Sequence, residues 1–235
     1  MAGWQPYVVG TAFVALFAAL GGWQISRGFE KQATRDALSA TGTYSTYFDG
    51  ADVRPYEQIR ATGQFDSEHQ FLLDNIPLNN RYGYYVLTPL ELAPDEPLLL
   101  VNRGWIEKTV QNPPLAELAS RIAVDGDRVT VLGKVGSLPR PGMRMGNAIE
   151  NASRWPSIAV FPEQEDIELV LGRDIQPIVL LMDPDLEDGF ARQWVPAEMG
   201  PARHFGYAFQ WFAMAAVLSG LLIWNYRRRR ARNDN

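Results

Sequence analysis

Residues 205–224 read FGYAFQWFAMAAVLSGLLIW, twenty residues without a charge, with Gln210 as the strongest polar group. A helix needs ~20 mostly apolar residues to cross a bilayer core, so this stretch predicts a membrane span. Arg227, Arg228, Arg229, Arg230 and Arg232 follow it directly. Further back, residues 7–23, YVVGTAFVALFAALGGW, form a second uncharged run. Tyr7, Trp23, Trp211, Trp224 and Tyr226 read as interfacial belt residues, Trp211 lying deeper. A cleaved signal peptide is the competing reading of the first run, with Ala19-Leu20-Gly21 as a tolerable cleavage site. Residues 1–6 carry no Lys or Arg, and the run is longer than the ~7–15 apolar residues of a signal peptide, which favours a retained anchor.

Two spans divide the chain into a short cytoplasmic start (1–6), a transmembrane helix (7–25), an outer domain (26–203), a second transmembrane helix (204–224) and a basic cytoplasmic tail (225–235). Basic residues beside a span stay inside, so the Arg block places both termini in the cytoplasm. Arg27, Lys31 and Arg35 oppose this only mildly, because long loops cross regardless of charge. The whole chain carries 22 Lys+Arg against 27 Asp+Glu, net −5. The outer segment holds 17 basic and 26 acidic residues and the tail 5 basic and 1 acidic, so the layout is dipolar. The tail reads as a topology anchor meeting membrane lipid, and nucleic acid is not expected as a partner. The short N-terminus lacks an Arg-rich transit peptide, which points to a bacterial inner membrane with a periplasmic outer domain.

The chain has no cysteine, which excludes disulfide scaffolds, thiolate zinc sites, Cys-ligated iron–sulfur clusters and c-type haem attachment. In the outer segment, residues 56–65, 70–74, 82–91, 98–106, 128–135 and 178–182 are short and rich in branched or aromatic side chains. Turn clusters at 66–67, 77–80, 94–95, 126 and 139–142 bound them. Helical signals cover residues 30–40, 114–122 and 162–171, the last with an acidic first turn. The fold expected is a membrane protein with N- and C-terminal transmembrane helices flanking one β-rich α+β periplasmic domain with an antiparallel sheet. Ala15 with Ala19, Ala18 with Gly22, Ala215 with Ser219 and Ala216 with Gly220 set small residues four apart, where two helices can approach closely. Pairing of the two spans would place Trp23, Gln24 and Arg27 near His204 at the same membrane face, since both segments end there.

No phosphate loop, nucleophile elbow, zinc-protease motif or dinucleotide fingerprint occurs, so no enzyme is predicted. Asp183, Asp185, Glu187 and Asp188 lack the spacing of a calcium loop and read as a turn. Met143 and Met145 offer two soft thioethers, more consistent with an ordinary loop than a copper site. His69, one of two histidines, reads as exposed. His204 stands at the outer end of the second span and shares a helical face with Tyr207, Ala208 and Trp211. Two readings stand side by side. A neutral imidazole there can ligate a haem iron, with rings against the macrocycle and Arg203 on a propionate. It can equally be an interfacial histidine closing the helix.

Several segments together resemble the Surfeit locus protein 1 family of cytochrome c oxidase assembly factors. GGWQISRGFEKQ at 21–32 is similar to its Gly-x-Trp-Gln-x-x-Arg segment. GQFDSEHQFLLDN, GYYVLTPLEL and LLLVNRGWI follow, with Asn102, Arg103, Gly104 and Trp105 on the family's Asn-Arg-Gly-Trp signature. PIVLLMDPD precedes the second span. RHFGYAFQWF resembles His-x-x-Tyr-Ala-x-x-Trp-Phe through His204, Tyr207, Ala208, Trp211 and Phe212. The resemblance implies a non-enzymatic assembly factor that assists haem a delivery to, or insertion into, the oxidase catalytic subunit, with haem a synthase as a further candidate partner. It implies a transient haem a site with His204 on the iron; Tyr207, Trp211 and Arg203 on the same helix, and Trp23 and Arg27 at the end of the first span, are the residues expected around it. Residues 102–105 read as a strand end where Gly104 permits a bulge or bend, with a docking surface for the oxidase or the haem synthase as the functional alternative. The competing class is a membrane-anchored envelope scaffold or sensor whose outer domain binds a protein partner without haem.

Overall fold

A computed structural model describes residues 4–109, 114–139, 148–150, 153–187, 190–194 and 199–233. Met143, Met145 and Asp188 lie outside them. The chain divides into two compact units, residues 1–39 with 196–235, and residues 40–195.

The first unit is a pair of long helices, α1 (Gln5–Ser39) and a second helix, Pro201–Asn233, numbered α4 because two short helices lie between. Both are long and apolar enough to cross a membrane. Along α1 one row of covered positions is Tyr7, Gly10, Val14, Phe17, Gly21, Gln24, Gly28 and Lys31. Along α4 the matching row is Pro201, His204, Ala208, Trp211, Ala215, Leu218 and Leu222, with Phe205, Ala213 and Ser219 part-covered beside it. Both rows step by three and four residues, the period of a coiled-coil seam. Passing from Gly10 through Gly21 to Gly28, the facing side chain runs from Leu222 through Phe212 to Phe205, so the helices are antiparallel.

Three large side chains of α4 therefore enter glycine notches of α1. A Cβ on Gly21 would stand 2.8 Å from Cζ of Phe212, and one on Gly28 2.5 Å from Cε1 of Phe205. The small-residue pairing expected from sequence is corrected here. Ala15, Ala18, Ala19, Gly22, Ala216 and Gly220 are exposed, and of those pairs only Ala215 with Ser219 lies on the seam. Spacing by four picked a face; spacing by alternating three and four picks the right one. Gly21→Leu is expected to weaken the pair by about 1–3 kcal/mol through overpacking, while Gly22→Leu, with no atom within 4 Å of its Cβ, is neutral. Thiol cross-linking of Tyr7→Cys with Tyr226→Cys, rings 6.1 Å apart, measures this. The natural chain contributes no competing thiol.

The second unit contains β1 (Ser45–Thr46), β2 (Gln58–Phe65), β3 (Phe71–Leu78), β4 (Arg81–Glu91), β5 (Leu98–Glu107), α2 (Leu115–Ile122), β6 (Arg128–Gly136), β7 (Ile149–Glu150), β8 (Ser157–Ala159), α3 (Gln164–Leu171) and β9 (Ile175–Met182). Strand β2 pairs antiparallel with β6 and, through Gln64 and Phe65, with the end of β4. Continuing through β9 and β5, the circuit β2-β6-β9-β5-β4 closes on itself. With α2 between its third and fourth strands, it is a five-stranded Greek-key barrel of OB type. Alternate residues point inward: Ile59 and Ala61, Leu90 and Leu92, Leu99 and Val101, Val131 and Val135, Leu180 and Met182.

The long strand β4 runs past the barrel and carries β3, β8 and β7 as a flange. Helix α3 packs Ile167 on the outer face of β3, β5 and β9. A capping box between Glu163 and Asp166 opens α3, and Gly172 in the left-handed region ends it. Helix α2 sets Leu118 and Ile122 against Leu72, Tyr84, Val86 and Ile106.

The sheet is mixed rather than purely antiparallel, since β1–β2, β3–β8 and β5–β9 are parallel. A parallel pair normally shows in sequence as strand, helix, strand. Here β5 and β9 are separated by two helices and three further strands, so no such unit is visible. The expected turn at 77–80 is also shorter than its composition suggests. Only Asn79 and Asn80 turn, both with positive φ, the signature of a two-residue hairpin. Pro77 lies inside β3, opposite Tyr82. The outer edge of β3 pairs with β8 only as far as Leu73, so the missing N–H costs no described ladder bond there.

Residues 102–105 form a bulge within β5. Val86 pairs with Gly104 and Leu87 with Asn102, leaving Arg103 as the extra residue. Gly104 has φ of 128°, and its N–H is held 3.1 Å from Oδ1 of Asn102. The bulge reverses the parity of β5, turning Trp105 outward onto the α3 side, where its Nε1 donates to Ile76 O at 2.9 Å. Arg103 is buried, with Nη1 donating to Ile122 O at 2.6 Å and its guanidinium over the rings of Phe65 and Phe190.

Tyr44 donates its hydroxyl to Oδ2 of Asp183, and Asp185 N–H donates to Oδ1 of the same residue at 2.9 Å. Burial, then the Asp183 carboxylate, pushes the Tyr44 phenol up to about 12. Its folded value lies above its unfolded one. The stabilising contribution is therefore complete below pH ~10 and lost as pH rises through about 12. Tyr44→Phe is expected to flatten that alkaline loss, read as the urea midpoint of the full chain by pulse proteolysis between pH 9 and 12.

Candidate functional site

The site is built within the helix pair, where the apolar part of each helix gives way to charged residues. Gln24 of α1 and His204 of α4 both sit on the seam, and Oε1 of Gln24 stands 2.8 Å from Nδ1 of His204. A carbonyl oxygen can only accept, so Nδ1 carries the proton, and in the neutral ring Nε2 keeps its lone pair. A ring fixed through Nδ1–H to a carbonyl is the usual second-shell arrangement of a histidine that binds metal through Nε2. The next residue, Phe205, fills the Gly28 notch and stacks edge-on with Phe29, centroids 5.4 Å apart. Inward, Trp211 packs on Phe17 at 5.6 Å. His204 is thus oriented by Gln24.

The residues proposed from sequence fall in different places. His204 and Trp211 share the seam, seven residues and two turns apart. Tyr207 flanks it and is 43% exposed, open to a flat ligand beside the helix. Trp23 stands off the seam at 55% exposure. Arg27 is engaged by Glu30, with Nη1 to Oε2 at 2.6 Å, both groups solvent-facing. Arg203 is exposed one residue before His204 and makes no side-chain hydrogen bond or ion pair among the described residues. Gln24, expected near His204 from pairing of the two runs, makes direct contact with it. Phe17 is absent from the sequence-derived set, and the signal that would have found it is the seam period running through 10, 17, 21, 24 and 28.

The other candidate positions resolve into structural roles. His69 is held by Asp66, Nδ1 to Oδ2 at 2.8 Å, and lies edge-on to Trp155 at 4.8 Å. Asp183 and Asp185 form a turn committed to Tyr44. Among the described residues, no three His, Asp or Glu side chains converge as a metal site. A small cleft of about 120 Å³ between the start of β3, the end of α2 and Trp155-Pro156 is floored by Gln70, which accepts from Thr88 Oγ1 at 3.1 Å and Arg103 Nη1 at 3.3 Å.

Compared with protein families, the chain matches the SURF1 family over residues 11–216. No curated protein matches it.

Proposed function

The chain belongs to the SURF1 family, which is membrane-associated and linked to cytochrome c oxidase assembly, and on that premise we propose that it holds haem a transiently at His204 and passes it to the oxidase catalytic subunit. In this reading it is an assembly factor rather than a catalyst, set in a bacterial inner membrane with both termini cytoplasmic and residues 26–203 periplasmic. Haem a synthase is the donor-side partner.

The observation that carries the proposal is the Gln24–His204 bond, which orients the ring and leaves Nε2 as a donor atom. Haem a is cargo, and the residues present suit its two-sided chemistry. Nε2 of His204 binds the iron on one face. Tyr207 and Trp211 offer ring surface to the macrocycle. Arg203 supplies a guanidinium for a propionate, a charge-assisted pair stronger than a neutral hydrogen bond. Arg27 serves a second propionate on leaving Glu30, a surface pair worth about 0–1 kcal/mol and so readily exchanged. A single protein ligand holds haem loosely enough to release it.

The test is a strain lacking this chain. Its membranes are expected to contain oxidase catalytic subunit with reduced haem a, restored by the parent gene. Full haem a occupancy of the oxidase in the deletion strain would contradict the proposal and favour the haem-free scaffold.

A further inference from the structure

The face that carries His204 does not end at Trp211. Two rows run down α4 in steps of seven residues: His204, Trp211 and Leu218, and beside them Tyr207, Met214 and Leu221. With about two turns per step, each row keeps one direction along a supercoiled helix. Below Trp211 lies a shallow, open concavity of about 380 Å³, lined by Phe17 of α1 and Ala213, Met214, Val217, Leu218 and Leu221 of α4. No lining side chain bears a charge or a hydrogen-bonding group. Phe17, which bounds the groove, is the residue that packs on Trp211. The groove therefore borders Trp211, which shares the seam with His204 two turns away.

Its length is set by helical rise. From Tyr207 to Met214 is ~10 Å along the axis and to Leu221 ~21 Å. A hydroxyethylfarnesyl tail has a main chain of about a dozen carbons, and at bond lengths of ~1.5 Å it spans roughly 15 Å. A macrocycle ligated at His204 and lying against Tyr207 would deliver such a tail into the groove without a turn. Met214, with its flexible thioether, adapts to the irregular outline of an isoprenoid chain.

We propose that this groove receives the isoprenoid tail of the haem held at His204, and so selects haems that carry one over haem b. The inference rests on the haem reading above. The tail supplies apolar area buried against protein, while the iron ligand and propionate partners are common to all haems. Selectivity then resides in the groove and not in the histidine.

The experiment titrates the full chain, in phosphatidylcholine nanodiscs, with haem o and separately with haem b, which differ only in the tail. Val217→Trp and Ala213→Trp each fill the groove from a position off the His204 row. The parent is expected to bind haem o at least tenfold more tightly than haem b. Each filled variant is expected to lose that preference while binding haem b as the parent does, which also reports an intact His204 site. Equal binding of the two haems by the parent would overturn the proposal and give the groove to bilayer acyl chains. So would a preference that survives both substitutions. Loss of both haems from both variants would make the groove part of the porphyrin pocket, against a separate tail site. Failure of the parent to bind either haem would instead remove the haem reading itself.

Discussion

His204→Ala is expected to lower haem a affinity by about a hundredfold or more, since loss of even an orienting partner typically costs 10–100-fold in metal affinity. The substitution removes the nitrogen proposed to bind the iron and leaves the rest of the seam in place. Phe205 still enters the Gly28 notch, and Phe212 the Gly21 notch. Cross-linking of Tyr7→Cys with Tyr226→Cys should therefore be unchanged, separating loss of a ligand from loss of the helix pair. Gln24 acts through His204 and is a positioning residue. Gln24→Leu is expected to cost roughly tenfold and to shift the haem absorption band as the ring loses its orientation. Gln24→Glu, which still offers an acceptor oxygen, should restore both. Haem a affinity in His204→Ala equal to the parent would take the histidine out of the mechanism.

Gly104→Val is expected to destabilise the barrel unit by about 3 kcal/mol or more, a large share of the ~5–15 kcal/mol that holds a typical domain. Two costs add. A β-branched residue does not fit φ of 128° without strain. Its Cβ would also stand 3.0 Å from Ala191 O, Arg192 Cγ and Phe190 C. Residues 190–191 are bonded to β5 at that point, Trp105 N–H to Ala191 O at 2.8 Å and Ala191 N–H to Trp105 O at 3.2 Å. Relief of the clash breaks those bonds. The control is Gly126→Val, whose Cβ would meet only Gln64 Nε2 at 3.7 Å and which should change stability by less than ~1 kcal/mol. Urea midpoints by pulse proteolysis compare the two, and equal midpoints would contradict the assignment of the bulge.

Much of this architecture was legible because strong local signals coincide with it. The uncharged runs at 7–23 and 205–224 fall inside α1 and α4, and the strand segments at 82–91, 98–106 and 128–135 match β4, β5 and β6 to within a residue or two. Gly104 was expected to permit a bulge or bend at a strand end; the bulge is there, but inside β5, which runs on to Glu107. What sequence did not carry is long-range pairing. Closure of β2 onto β4 and the parallel register of β5 with β9 join residues far apart in the chain, and no local period records them. The short strands β1, β7 and β8 hold two or three residues each, too few for an alternation to show. In the helix pair, spacing along one helix put His204 and Trp211 on a common face, and pairing of the two runs put Gln24 near His204, where the structure has it. The contact of Phe17 with Trp211 was not legible, because only the register of the two helices brings them together.

The central claim is that haem a is held through Nε2 of His204. The most direct measurement is the reduced-minus-oxidised difference spectrum of the full chain purified from cells that make haem a, beside the same preparation from cells lacking haem a synthase. The account predicts the haem a absorption band in the first preparation and its absence in the second. A haem-free protein from both, with oxidase assembling normally in the first, would contradict it.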